Sequence, residues 1–207
     1  VVQGNAGHFT HGAIIAFVLW MWYRESRGGT TGAYANPRSE SGFTLIELLA
    51  VVGIIGIIAA IAVPGLMRAR LSGSEASAIG SLRAISSSQS AFAASCGSGF
   101  YAPSLALLGT PPAGGLTAFI GTDLNADLSF KSSYEMSVTG GALATGAPAS
   151  CNGAAAGAVV ATYFAAALPA VTGFRFFGTN QAGMIYQAPV AVAVTQSGAP
   201  AGALPIQ

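Results

Sequence analysis

An α+β fold is predicted by three features: an unbroken apolar run from Phe43 to Val63, a following stretch with apolar residues three and four apart, and several short β-prone segments downstream. The first two join into one long amino-terminal helix with a membrane half and an amphipathic half. The third supplies short strands, with a hairpin among them.

The apolar run is the first element to justify. Over the chain 52% of residues are apolar and only 7% charged, an excess that has to be located before any motif is sought. Much of it lies in FTLIELLAVVGIIGIIAAIAV, Phe43 to Val63. At a rise of about 1.5 Å per residue, that helix crosses a hydrocarbon core of roughly 30 Å. The remaining excess is Ala and Gly dispersed among Ser and Thr, which makes a small-residue surface and no second span.

Arg24, Arg27 and Arg38 outnumber Glu25 and Glu40 before the run, a basic bias expected on the cytoplasmic side, so the domain after the run should face outward. Arg68 and Arg70 on the far side reduce that asymmetry. Residues 1–42 read as a leader that is removed, or as an over-extended reading frame in which Met21 is the start. The apolar stretch from Ala13 to Tyr23 is too short to span a bilayer.

From Phe43 onward, Arg68, Arg70, Arg83, Lys131 and Arg175 balance Glu47, Glu75, Asp123, Asp127 and Glu135, and both histidines lie upstream. A neutral balance offers no basic stripe for nucleic acid. Without histidine, a His-based general base or triad is excluded from this part.

In a secretory signal the small-residue cleavage site follows the apolar stretch; here Arg38-Ser39-Glu40-Ser41-Gly42 precedes it, and Glu47 stands near its start. An ionised carboxylate in hydrocarbon costs on the order of a few kcal/mol, so Glu47 needs a partner. The string GFTLIELL, Gly42 to Leu49, resembles the class III signal of type IV pilins and pseudopilins. That resemblance implies cleavage by a prepilin peptidase between Gly42 and Phe43 and methylation of the new terminus. It also implies that Glu47 neutralises the terminal amine of Phe43 on a neighbouring subunit. A bare hydropathy reading would make the same string the head of a membrane anchor, with Glu47 hydrated at the interface.

Within the run, Gly53 and Gly56, with Ala59, Ala60 and Ala62 beyond, form a narrow surface on which helices can pack. Pro64 lacks an amide donor and clashes with the preceding turn, so the helix is expected to kink or loosen between Gly56 and Pro64. The resemblance implies melting there in filaments.

After Pro64, Ala76, Ile79, Leu82, Ile85, Gln89 and Phe92 put one apolar face on a helix to about Ala94, which Gly97 to Gly99 ends. Pro111-Pro112 and Gly114-Gly115 mark a loop. Strands are expected at Ser132 to Val138, Val159 to Ala166, Gly173 to Phe177 and Met184 to Gln187, with a hairpin turn at Gly178 to Gly183. Tyr134, Tyr163, Phe164, Phe174, Phe176, Phe177 and Tyr186 fall on them and read as core, since alternate side chains face the helix.

Further similarity to pseudopilin-like proteins lies in SLRAISSSQSAFAAS at 81–95, KSSYEMSV at 131–138 and TGFRFFGTNQAGMIY at 172–186. With the signal, these pieces extend the resemblance over most of the chain. They imply the pilin-like fold, a long amino-terminal helix packed on a small antiparallel sheet.

Cys96 and Cys151 are the only cysteines, and an exported compartment permits their disulfide; the alternative is two separately buried thiols. Asp123, Asn125 and Asp127 alternate as in a calcium loop, but the sixth-position Gly is absent and Glu135 comes one residue late, so a solvated turn is preferred to a metal site. No cofactor is expected.

The resulting organisation is a leader at 1–42, a transmembrane and assembly helix at 43–64, an amphipathic helix at 65–96 and an exported head at 97–207. The function implied is that of a non-enzymatic pilin in an extracellular type IV pilus-like filament. Its partners would be identical or related subunits, the prepilin peptidase and an inner-membrane assembly platform. Before assembly it would sit in the bacterial inner membrane. A major pseudopilin of a type II secretion system shares the architecture. A DNA-uptake pilin is opposed by the charge balance, and an anchored hydrolase would have to use carboxylates from among Glu75, Asp123, Asp127 and Glu135.

Overall fold

The computed structural model describes residues 43–206, which fall into two units, 43–52 and 53–206. The leader, with Gly42, lies outside the described residues. Helix α1 is Leu45–Ser95, α2 is Leu105–Leu108, and six strands follow: β1 Ser129–Lys131, β2 Tyr134–Gly140, β3 Tyr163–Pro169, β4 Phe176–Asn180, β5 Ile185–Ala188 and β6 Leu204–Ile206.

The strands form one antiparallel sheet in sequence order, each paired with the next. Helix α1 packs on it through the second half of its length. Glu75, Ala78, Ser81, Leu82, Ile85, Ser88, Gln89 and Phe92 are buried, at the three- and four-residue spacing of one helical face. The seam starts at Glu75 and Ala78, one position from the expected Ala76, which is exposed. Leu82, Ile85 and Phe92 share one core with Tyr134, Met136, Tyr163, Ala165, Ala167 and Phe177 from the strands.

Buried Gln89 ties the chain after α1 back onto the helix. Its side chain donates to Ala102 O and accepts from Ala102 N, both at 2.8 Å. Both amide functions are thereby satisfied inside the core. At the C-terminal end of α1, the amides of Cys96 and Gly97 both donate to Phe92 O, and Gly99, at φ 90°, donates to Ala93 O.

Several strand boundaries differ from expectation. Ser132 and Ser133, expected in β2, are the two-residue turn between β1 and β2, with φ of 50° and 66° and Lys131 opposite Tyr134. Val159 to Thr162 precede β3, with only Val160 bridging, to Tyr101 and Leu143. Strand β4 begins at Phe176 and runs through Gly178 to Asn180, so the hairpin turn is shorter than expected and falls after Asn180.

Phe164 is core as expected, on the side of the sheet away from the helix. Its neighbours Tyr163 and Ala165 face α1, so alternation sends Phe164 to the opposite side of the sheet, where it is buried with Ala188 and Val192 and against Ala166, Phe176 and Ala203. The segment between β5 and β6 therefore covers the second face. Asn180 anchors it by donating to the carbonyls of Thr195 and Gly198.

Candidate assembly site

The described chain opens with Phe43 and Thr44 ahead of α1, and Phe43 is exposed. Thr44 is the residue before the helix, and its carbonyl accepts from the amides of Glu47 and Leu48 at 3.1 and 3.3 Å. Its own amide and hydroxyl donate to Glu47 Oε2 at 2.9 and 2.6 Å, while the Glu47 amide donates to Thr44 Oγ1 at 3.4 Å. This reciprocal arrangement is a capping box, which satisfies amides that the first helical turn leaves without partners. Thr44-Leu45-Ile46-Glu47 carries the spacing of that motif, a signal the charge argument for Glu47 passed over. In the single chain, Glu47 thus finds a local partner in Thr44.

Beyond the first turn, α1 exposes Leu49, Ile54, Ile58 and Ile61. The helix is long and apolar enough to cross a membrane by length and composition. Gly53, Gly56 and Pro64 all lie inside it, and a Cβ at either glycine would meet nothing within 4 Å. The helix is assigned without a break through Pro64. One missing donor removes one hydrogen bond of the ladder and leaves the flanking ones.

Farther along, Cys96 and Cys151 are joined by a disulfide with Cα atoms 5.0 Å apart, linking the residue after α1 to the long β2–β3 connection. Asp123, Asn125 and Asp127 have separate partners. Asp123 pairs with Lys131 at 2.5 Å, and hydrogen bonding from that lysine holds its carboxyl below the usual range. Asp127 accepts from the amide of Leu105 at 2.9 Å, and Asn125 lies against Gly109. Among the described residues, no three His, Cys, Asp or Glu side chains stand together as a metal site.

Glu75 joins none of these carboxylates. It is buried on α1 and bound by Arg175, whose Nε donates to both carboxylate oxygens at 3.1 Å. This pair was missed by sequence reasoning, which considered Glu75 only as a component of a carboxylate pair.

The family described as Prokaryotic N-terminal methylation motif matches residues 37–63. Neither a curated protein nor a solved structure matches the chain significantly. The matched segment brackets Gly42, Phe43 and Glu47 and ends within the apolar half of α1. The chain therefore carries the class III prepilin signal typical of type IV pilins and pseudopilins, on a pilin-like α+β fold.

Proposed function

We propose that this chain is a non-enzymatic structural subunit of an extracellular type IV pilus-like filament. A prepilin peptidase cleaves it between Gly42 and Phe43, and the new Phe43 amine is methylated. The apolar half of α1 then holds the subunit in the inner membrane until an assembly platform adds it to identical or related subunits.

The observation that carries this reading is the continuity of the methylation motif at 37–63 with a helix whose apolar side chains are exposed from Leu45 to Met67. A surface of that kind needs lipid or neighbouring helices to cover it. Glu47 supplies the charge for a repeated head-to-tail contact, because its cap hydrogen bonds to Thr44 can be exchanged for the terminal amine of Phe43 on a neighbour. A carboxylate and a protonated amine neutralise one another where each alone would be costly in hydrocarbon.

The test is imaging of purified surface filaments together with mass spectrometry of their subunit. N-methylated Phe43 as the terminal residue of filament material is the expected result. A peptide running intact from Arg38 through Phe43 in the mature subunit would refute the maturation step.

A further inference from the structure

Just past the apolar run, the structure has an open groove of about 820 Å³ between α1, the β1–β2 turn and the chain ahead of β4. Met67, Leu71, Val171 and Phe174 give it apolar walls, and Arg68 and Arg70 line it as well. Both arginines are exposed, and among the described residues neither makes an ion pair. Ser133 and Thr172 add hydroxyls to the lining.

Position along the helix selects the occupant. Arg68 and Arg70 lie five and seven residues beyond Val63, the end of the apolar run. That places them about 7 to 11 Å farther along α1, at the depth of the headgroup layer when Phe43 to Val63 fills the hydrocarbon. Guanidinium groups at this level meet lipid phosphates, which they bind through paired N–H donors, and neighbouring apolar walls can take up the start of an acyl chain. An arginine pair without an internal partner among the described residues, beside an apolar groove at headgroup depth, matches a ligand that is anionic at one end and apolar at the other.

The geometry points to a binding site for an anionic glycerophospholipid, formed by Arg68, Arg70 and the groove between Met67, Leu71, Val171 and Phe174. Bound there, the lipid holds the head against the outward leaflet before assembly. The inference rests on the membrane-inserted reading given above.

The experiment reconstitutes the full chain into vesicles containing equal amounts of phosphatidylglycerol and phosphatidylcholine, checks insertion by flotation, and counts lipids retained per copy by native mass spectrometry after mild detergent extraction. Wild type should retain phosphatidylglycerol over phosphatidylcholine by about tenfold, the factor expected when two arginines each gain about 1 kcal/mol or somewhat less from a headgroup whose phosphate charge no choline cancels. R68Q/R70Q should lose that preference and still float, and excess inorganic phosphate should not displace the lipid. Equal retention of the two lipids by wild type, an undiminished preference in R68Q/R70Q, or displacement by inorganic phosphate would overturn the site while leaving membrane insertion standing. Cross-linking between copies carrying Val171→Cys, with lipid retention independent of both arginines, would assign the groove to a second copy and also overturn it. Failure of wild type to float would overturn the membrane reading itself and the lipid site with it.

Discussion

Glu75 and Arg175, one hundred residues apart, clamp the helix to the segment that leads into β4. The Glu75 side chain is 8% exposed and that of Arg175 is 50% exposed, so the carboxylate is the desolvated partner and the guanidinium covers it from the solvent side. The amide and Nε of Arg175 donate to Glu75 Oε1 at 3.2 and 3.1 Å, Nη2 reaches Oε2 at 2.5 Å, and Nη1 reaches Gln187. The Arg175 carbonyl accepts from the hydroxyl of buried Tyr134 at 2.8 Å, which brings β2 into the same network.

Arg175→Ala should destabilise the head by roughly 1–3 kcal/mol, the upper part of the range reflecting a buried carboxylate left without its partner and the lower part the solvent screening of a half-exposed arginine. Hydrogen bonding from Arg175 holds the Glu75 carboxyl below its ordinary value of 4.5, against the opposing effect of burial. A carboxyl depressed by folding adds stability above its unfolded pKa and loses that contribution as pH falls through the folded value. The wild-type advantage over Glu75→Gln should therefore be full near neutrality and decline as the medium is acidified below about pH 4.5. Urea midpoints of the two proteins across that window provide the check, and a constant difference would reject the linkage.

The disulfide closes a loop with a sequence separation of 55, from the end of α1 to the β2–β3 connection. Constraining the unfolded chain over such a loop stabilises by about 2–4 kcal/mol. Reduction, or Cys96→Ser together with Cys151→Ser, should lower the urea midpoint correspondingly. Non-reducing peptide mapping should recover the two cysteines in one linked peptide pair, and free thiols on both in oxidised exported material would remove the bond.

Gly178 sits opposite Ala166 on the sheet face away from α1, where a Cβ would stand 2.6 Å from the Phe164 ring. Gly178→Ala should therefore cost roughly 1–3 kcal/mol through overpacking. Combining it with Phe164→Ala should cost less than the sum of the two single changes, because the obstructing ring is then absent. Strict additivity in a double-mutant cycle would show that the contact does not limit the site.

How much of this was legible in the sequence depends on the range of each interaction. The long helix follows from an unbroken apolar run and its buried stripe from a periodicity within a few turns, so Leu82, Ile85, Gln89 and Phe92 were placed on the buried face from spacing alone. The capping box was equally local, but Glu47 was weighed only as a charge in hydrocarbon. Glu75 with Arg175 could not be read, because nothing local marks a contact spanning a hundred residues. The cover over Phe164 escaped because the stretch before β6, mostly Ala, Val, Gly and Pro around Thr195-Gln196-Ser197, forms no helix or strand of its own, while its packing is set by the sheet beneath. The strand shift around Gly178 has a similar cause: the glycine reads as a turn residue, but its missing Cβ makes room for Phe164 within the sheet.

Under the proposed function Glu47 would have an assembly task beside its capping one, and the capping box offers a way to separate them. Gln at the third helical position serves a capping box as Glu does, so Glu47→Gln keeps an acceptor for the Thr44 amide and hydroxyl and removes only the charge. Loss of that charge also eases burial in hydrocarbon. The Glu47→Gln subunit should accordingly be cleaved, inserted and present at normal levels, while filament yield falls sharply for want of a counter-charge to the Phe43 amine. Thr44→Val is the complementary change, since it removes the hydroxyl that bonds Glu47 and leaves the carboxylate. It should weaken the helix start by about 0.5–2 kcal/mol and still allow filaments. Filament counts by electron microscopy, read beside immunoblots of the membrane subunit, distinguish the outcomes. Filament loss in Thr44→Val with normal filaments in Glu47→Gln would make the cap the assembly determinant, and loss of the Glu47→Gln subunit itself would give the carboxylate a folding role.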